Sequence, residues 1–265
     1  LQPLNKSYIP NFENVISGLR SPYYDLESQY TVPYFIYGNG IGYRTDRIDK
    51  NAFAGNGYDM LWDSQFSGKL GVLDSYRDTL SMAMFRAGNF NANTTDATII
   101  QKAGDDLIAL REATNPKVDI LAYQEIPAGN RDINFTWSGD LFTALQYLPE
   151  GLAPDVLGFW YPEKTVAKND FMCITKTAKS PVLAHQLINF LSDTDNALLN
   201  REYVGYQPAL ESITVDLLIS SGTIPESLID ALVTPEKYDA GLAQVSLEPT
   251  VDGLWLEQWT RFTAG

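Results

Sequence analysis

Gly38, Gly40 and Gly42 fall at every second position of the aromatic run VPYFIYGNGIGY, and this spacing constrains the local fold more than any other feature of the chain. A dinucleotide-binding turn needs G-x-G-x-x-G opening a helix, with an acid about 20 residues further on. Here the third glycine comes one residue early, and Tyr43, Arg44, Thr45 and Asp46 begin no apolar helical stripe. Side chains along a strand alternate between faces, so all three glycines share one bare face of an extended segment. A bare face predicts close approach by another backbone, or a bend. A phosphate-binding loop is set aside, and a long strand crossing between two lobes is expected.

The rest of the chain alternates strand-like and helix-like patterns. Leu80, Ala83, Met84 and Ala87 form one apolar stripe at helical spacing. Ile100, Ala103, Leu107 and Leu110 form a second, and Leu183, Leu187, Phe190 and Leu191 a third. Between them lie the short runs YTVPYFIY, KLGVLD, INFTW, DVLGFWYP and FMCITK. Strands alternating with helices of this length predict an α/β architecture. The tail VDGLWLEQWTRF reads as a closing helix that packs Trp255 and Trp259 on a lobe. The length of 265 residues suits one large domain or two medium lobes.

Charge and rare residues narrow the chemistry. The net charge is −14, which argues against a nucleic-acid partner, because phosphate binding needs clustered Lys and Arg. A negative field attracts cations, organic ones included. The lone Cys173 sits in the apolar run FMCI and reads as a buried packing residue. The lone His185 lies in the helical pattern VLAHQLINFL and reads as structural. Zinc clusters of Cys and His fail by count, and neither a metal nor a cofactor is expected. No apolar run approaches the roughly 20 residues of a membrane helix, and the opening LQPLNKSYIP lacks the pattern of a signal peptide.

Five segments in order carry a resemblance: VPYFIYGNGIGYRTDRID, DMLWDSQFSGKLGVLDSYRDTLSMAMFRAG, INFTWSGDLFTAL, YPEKTVAKNDFMCITKTAKSPVLAHQLINFLSD and REYVGYQPAL. Together they resemble the spermidine/putrescine-binding proteins of ABC importers, within the extracellular solute-binding proteins. The resemblance implies a two-lobed, periplasmic-binding-protein-like α/β fold. Family members carry a further N-terminal segment before the equivalent of LQPLNKSYIPNF, so the first lobe is expected to be incomplete. Lobe one would hold residues 1–42 and 170–208, and lobe two 43–169 and 209–265, with VGYQP as the third crossing. The implied function is capture of a polyamine in the inter-lobe cleft, without bond chemistry, and delivery to an ABC permease. A monomer is implied, periplasmic or extracellular, with a lipid anchor on a segment outside this sequence.

A polyamine requires carboxylates at its ammonium groups and aromatic faces along its methylenes. By the resemblance, Trp137 matches a cage tryptophan and Asp140 an acid of some members. Their own pattern agrees, since WSGD ends a strand, the edge where ligands of open α/β sheets sit; Asp140 equally fits a cap on LFTALQYL. Asp170 matches the family's amine-binding aspartate. Ser75 and Asp78 match a turn that carries acids in relatives, yet Ser-x-x-Asp before a helical stripe is also a near capping box. Tyr206 in VGYQP is a candidate at the third crossing, and Tyr37 and Tyr123 are possible walls. Many members carry an aromatic where this chain has Lys168, a cation that would repel an ammonium unless it points outward.

Other readings stay open: the same fold taking an amino acid derivative, a thiamine-like cation or a ferric ion, or a carboxylate hydrolase using Asp140 and Asp170. A truncated lobe serving as a dimerisation or sensor module is a third.

Overall fold

The computed structural model describes residues 1–55 and 57–264. In chain order the strands and α-helices are β1 (Thr31–Arg44), β2 (Leu70–Leu73), α1 (Tyr76–Arg86), α2 (Ala97–Thr114), β3 (Lys117–Asp119), α3 (Ala122–Glu125), β4 (Ile133–Trp137) and α4 (Ser138–Thr143). There follow β5 (Leu157–Trp160), β6 (Ala167–Cys173), α5 (Pro181–Leu191), α6 (Thr194–Val204), β7 (Gln207–Pro208), α7 (Val215–Ser220), α8 (Pro235–Ala240) and α9 (Pro249–Thr263). The chain divides into two compact units, residues 1–37 with 169–224, and 38–168 with 225–265. The divisions fall inside β1, inside β6 and after Ile224. The expectation put 209–224 in the second lobe and a crossing at VGYQP. This segment instead groups with the first unit, where Val15 bridges Leu210 and the Glu211 amide donates to the Asn14 carbonyl at 2.8 Å.

The second unit is built on a mixed sheet in the order β3-β2-β4-β1-β5. β2 runs parallel to β3 and β4, and the second half of β1 runs antiparallel to β4 and β5. The two faces of β1 differ sharply. Ile41 and Tyr43 enter the main apolar core with Leu70, Val72, Phe135 and residues of α1 and α2. On the other face, a Cβ at Gly40 would stand 2.4 Å from the Phe159 ring and 2.6 Å from the Trp160 carbonyl. At Gly42 it would meet Leu141 at 2.7 Å. The period-two glycines thus admit bulky neighbours, mainly side chains rather than the second backbone expected.

Three helices of this unit follow from their sequence. α2 is opened by Asp96, whose carboxylate accepts from the Thr98 amide at 2.8 Å, and closed by Asn115 in the left-handed conformation. Its stripe of Ile100, Ala103, Leu107 and Leu110 is buried throughout. α1 is buried on every side from Asp78 to Phe85, as a helix enclosed by the sheet, α2 and α9 must be. In α9, Trp255 and Phe262 are buried and Trp259 partly so.

The first unit packs the first half of β1 antiparallel to β7, over a core of Ile9, Phe12, Val15, Val32, Phe35, Ile188 and Leu210. α6 is capped by the Asp193 side chain and ends at Gly205 with φ 81°. His185 is a structural residue: Nδ1 donates to the Pro181 carbonyl and Nε2 accepts from the Asn5 amide at 2.9 Å. In this unit one apolar stripe is exposed and one expectation is corrected. Leu183, Leu187 and Phe190 face solvent, because α5 turns His185 and Ile188 inward against the N-terminal turns. Cys173 is exposed rather than buried, since β6 leaves Phe171 and Cys173 on its open side.

Candidate functional site

In the second unit, side chains converge on Asp78, in the first turn of α1 and with no solvent exposure. β1 runs past this turn with its non-glycine face, so Asn39 reaches Asp78 and donates its amide to Oδ1 at 3.0 Å. Ser75 precedes α1 in extended conformation and its carbonyl accepts from the Thr79 amide. It is the N-cap by backbone, but its hydroxyl donates to Asp78 Oδ2 at 2.9 Å rather than to a helix amide. The indole Nε1 of Trp137, at the end of β4, lies 3.4 Å from the same oxygen. Lys168, on β6, brings Nζ to 2.6 Å from each carboxylate oxygen.

Lys168 therefore neither points outward nor confronts a ligand as an unpaired cation. Its side chain is 23% exposed and its charge is matched by a carboxylate that water does not reach. A buried charge without a partner costs several kcal/mol, so this pair accounts for the presence of an aspartate in so enclosed a place. Asn39 also carries a buried Oδ1 without a hydrogen-bond partner among the described residues.

Asp140 lies in the first turn of α4 and is 5% exposed. It does not cap the helix, since Trp137 occupies the N-cap position and Asp140 accepts the Thr136 hydroxyl across the strand–helix turn. Trp137 and Asp140 thus share the turn from β4 into α4, with the Trp137 ring partly buried against the core. Beneath Gly38 lies the Tyr161 ring, whose hydroxyl burial pushes up to about 12, so it stays protonated at any ordinary pH.

The first unit holds the other two candidates. Asp170, on β6, is exposed and accepts the Tyr37 hydroxyl at 3.0 Å. Tyr37 in turn packs edge-on against Tyr206, ring centroids 5.2 Å apart. No cationic side chain of the described residues lies within ion-pair distance of Asp170. Next to it on β6, Asn169 donates to the Tyr24 hydroxyl at 3.2 Å and Phe171 packs on the Tyr24 ring at 5.7 Å. The result is an open carboxylate set among aromatic rings. Tyr123 belongs to neither group and packs with Tyr147.

Sequence reasoning missed Asn39, Thr136 and the pairing of Lys168. Asn39 had a signal, being polar on the strand face that otherwise carries Ile41 and Tyr43. Thr136 had none beyond its place beside Trp137. Among the described residues no group of three or more His, Cys, Asp or Glu is placed to hold a metal ion, and no helix is long and apolar enough to cross a membrane.

The profile of the bacterial extracellular solute-binding proteins matches residues 1–219. Among relatives, the spermidine/putrescine-binding periplasmic protein of Escherichia coli K12 is 29% identical over 209 residues, covering 78% of this chain and 57% of its own length. The spermidine/putrescine-binding periplasmic protein 1 of Haemophilus influenzae is 26% identical over 213 residues, covering 78% and 55%. The chain spans little more than half the length of these relatives. Among solved structures, the spermidine/putrescine ABC transporter substrate-binding protein of Streptococcus pneumoniae superposes with a TM-score of 0.77 at 23% identity, over 99% of this chain and 77% of that one. That likeness shows the fold, the α/β architecture of periplasmic-type binding proteins.

Proposed function

The chain belongs to the family of bacterial extracellular solute-binding proteins, and from that premise we propose that it is the receptor of an ABC importer for a polyamine-like cation. The family is one of binding proteins rather than enzymes, so its acids need hold a solute and not transform it. The observation that carries the cationic reading is Asp170. It is exposed, has no ion-pair partner among the described residues, and is flanked by Tyr37 and, through it, Tyr206. An alkylammonium gains there both a carboxylate and aromatic faces. In the second unit, the strand–helix turn that ends β4 carries both an indole, Trp137, and a carboxylate, Asp140. The names of the Escherichia coli and Haemophilus influenzae relatives point to the same solute class. Delivery to an ABC permease and a lipid anchor belong to this reading.

A second reading has one observation in its favour. Lys168 neutralises Asp78, which leaves the second unit's site less anionic and suits a zwitterionic solute such as an amino acid derivative. Thermal unfolding against putrescine, spermidine and a panel of amino acids separates the two. A ligand at 100 times its Kd adds about 2.7 kcal/mol. The polyamine reading expects a shift with polyamines that Asp170→Asn abolishes; a shift with amino acids alone overturns it.

A further inference from the structure

The geometry points to Lys168 as an internal occupant of an alkylammonium site, a side chain that holds the place one ammonium group of a solute would otherwise take. This deepens the proposed function and, in its consequence for the solute, rests on that reading. The chemistry around Asp78 divides into two parts. Asn39, Ser75 and Trp137 are neutral donors fixed by β1, the turn before α1 and the end of β4. Among the described residues, the cation paired with the carboxylate is Lys168. The Lys168 side chain is partly exposed while Asp78 is not, so the lysine is the partner that solvent reaches.

An enclosed carboxylate ringed by neutral donors still needs one positive charge. Any primary alkylammonium satisfies that need as a lysine does, for the lysine side chain beyond Cα is itself a butylammonium. The unpartnered Oδ1 of Asn39 belongs to the same amide that donates to Asp78, so a further acceptor sits within an amide's width of the pair. With Lys168 in place, Asp78 and Lys168 sum to zero charge and Asp78 is not available to a solute. Lys168 therefore sets solute choice: the protein takes a cation with one ammonium fewer than the same site would without it.

Truncation provides the test. Lys168→Ala removes Cγ, Cδ, Cε and Nζ, which together amount to n-propylammonium. The variant is expected to unfold at lower temperature than the wild type and to recover on addition of n-propylammonium chloride. The recovery should saturate, with a shift on the order of 3 °C at ten times the dissociation constant. Tetramethylammonium at equal ionic strength has no N–H to donate and should leave the variant unchanged, and the wild type should respond to neither salt. Lys168→Ala combined with Asp78→Asn should lose the response. Should Lys168→Ala not fold, dilution from urea with and without n-propylammonium reads the same quantity as refolding yield. Recovery in either format that depends on Asp78 supports the assignment. Absence of recovery, or equal recovery with tetramethylammonium, overturns it.

The probe is not the solute, so this result stands apart from the solute screen. If the wild type binds no polyamine while the rescue succeeds, the receptor reading fails and the ammonium site remains. If polyamines bind and the rescue fails, the reverse holds. Where both succeed, Lys168→Ala should favour spermidine over putrescine by about ten-fold relative to the wild type, the factor that about 1.4 kcal/mol represents.

Discussion

The ring of Phe159 fills the space beside Gly40 where any other residue would carry its side chain, 2.4 Å from the position of a Cβ. The Trp160 carbonyl closes the same space at 2.6 Å. Since one neighbour is backbone in a paired strand, it has little room to yield. Gly40→Ala is expected to cost about 2–3 kcal/mol, in the range of overpacked cores. Gly253 provides the contrast, lying within α9 with nothing inside 4 Å of its Cβ position. Gly253→Ala should stabilise by about 0.5–1 kcal/mol. Urea unfolding of the two variants checks both signs, and equal effects would refute the argument.

α5 yields a prediction that its sequence alone would not have given. Leu187 belongs to the apolar stripe yet is exposed, whereas Ile188 is buried. Leu187→Gln should change stability by no more than about 0.5 kcal/mol. Ile188→Ala should lose about 2–4 kcal/mol through transfer and cavity terms. Thermal or urea unfolding decides, and a larger loss for Leu187→Gln would show that this face is covered in solution.

The difference between α2 and α5 shows what could be read in advance. In α2 the stripe of Ile100, Ala103, Leu107 and Leu110 is the buried face, because one helix packs one apolar side against a sheet-backed core. In α5 an apolar residue stands at nearly every position, so periodicity could not choose a side. The choice came from polar contacts of distant segments: Asn11 bonded to Asn189 at 2.8 Å and Asn5 to His185. The site divides in the same way. The placement of Trp137 and Asp140 was legible because a strand ends at WSGD, whereas the pairing of Lys168 with Asp78 joins positions 90 residues apart. No local spacing encodes such a pair.

Cys173 offers an inexpensive check on β6. Its exposure predicts that the folded protein reacts with a disulfide reagent such as 5,5′-dithiobis(2-nitrobenzoate) in one stoichiometric phase, at a rate within about ten-fold of the urea-unfolded chain. A thiol packed in a core reacts only on opening. Protection by several orders of magnitude in the native protein would place Cys173 inside.

Asp25 ties the turn before β1 to the strand and should make the first unit sensitive to acid. Its carboxylate accepts the amides of Gln29, Tyr30 and Thr31 at 2.8–2.9 Å and the Thr31 hydroxyl at 2.7 Å. Burial by itself would raise its pKa, but the Thr31 hydroxyl and the three amides outweigh it and hold the group below its ordinary 3.8. A folded-state value below the unfolded one contributes stability that is fully present above about pH 4. That stability is lost as pH falls through the folded value. Asp25→Asn should therefore cost about 1–2 kcal/mol at pH 7, through lost charge-assisted hydrogen bonds. The gap to the wild type should narrow steadily below pH 4, because the wild type then loses the charge the variant never had. Unfolding midpoints of both proteins from pH 7 to pH 2.5 measure it, and a gap unchanged by acid would show that the charge of Asp25 contributes nothing.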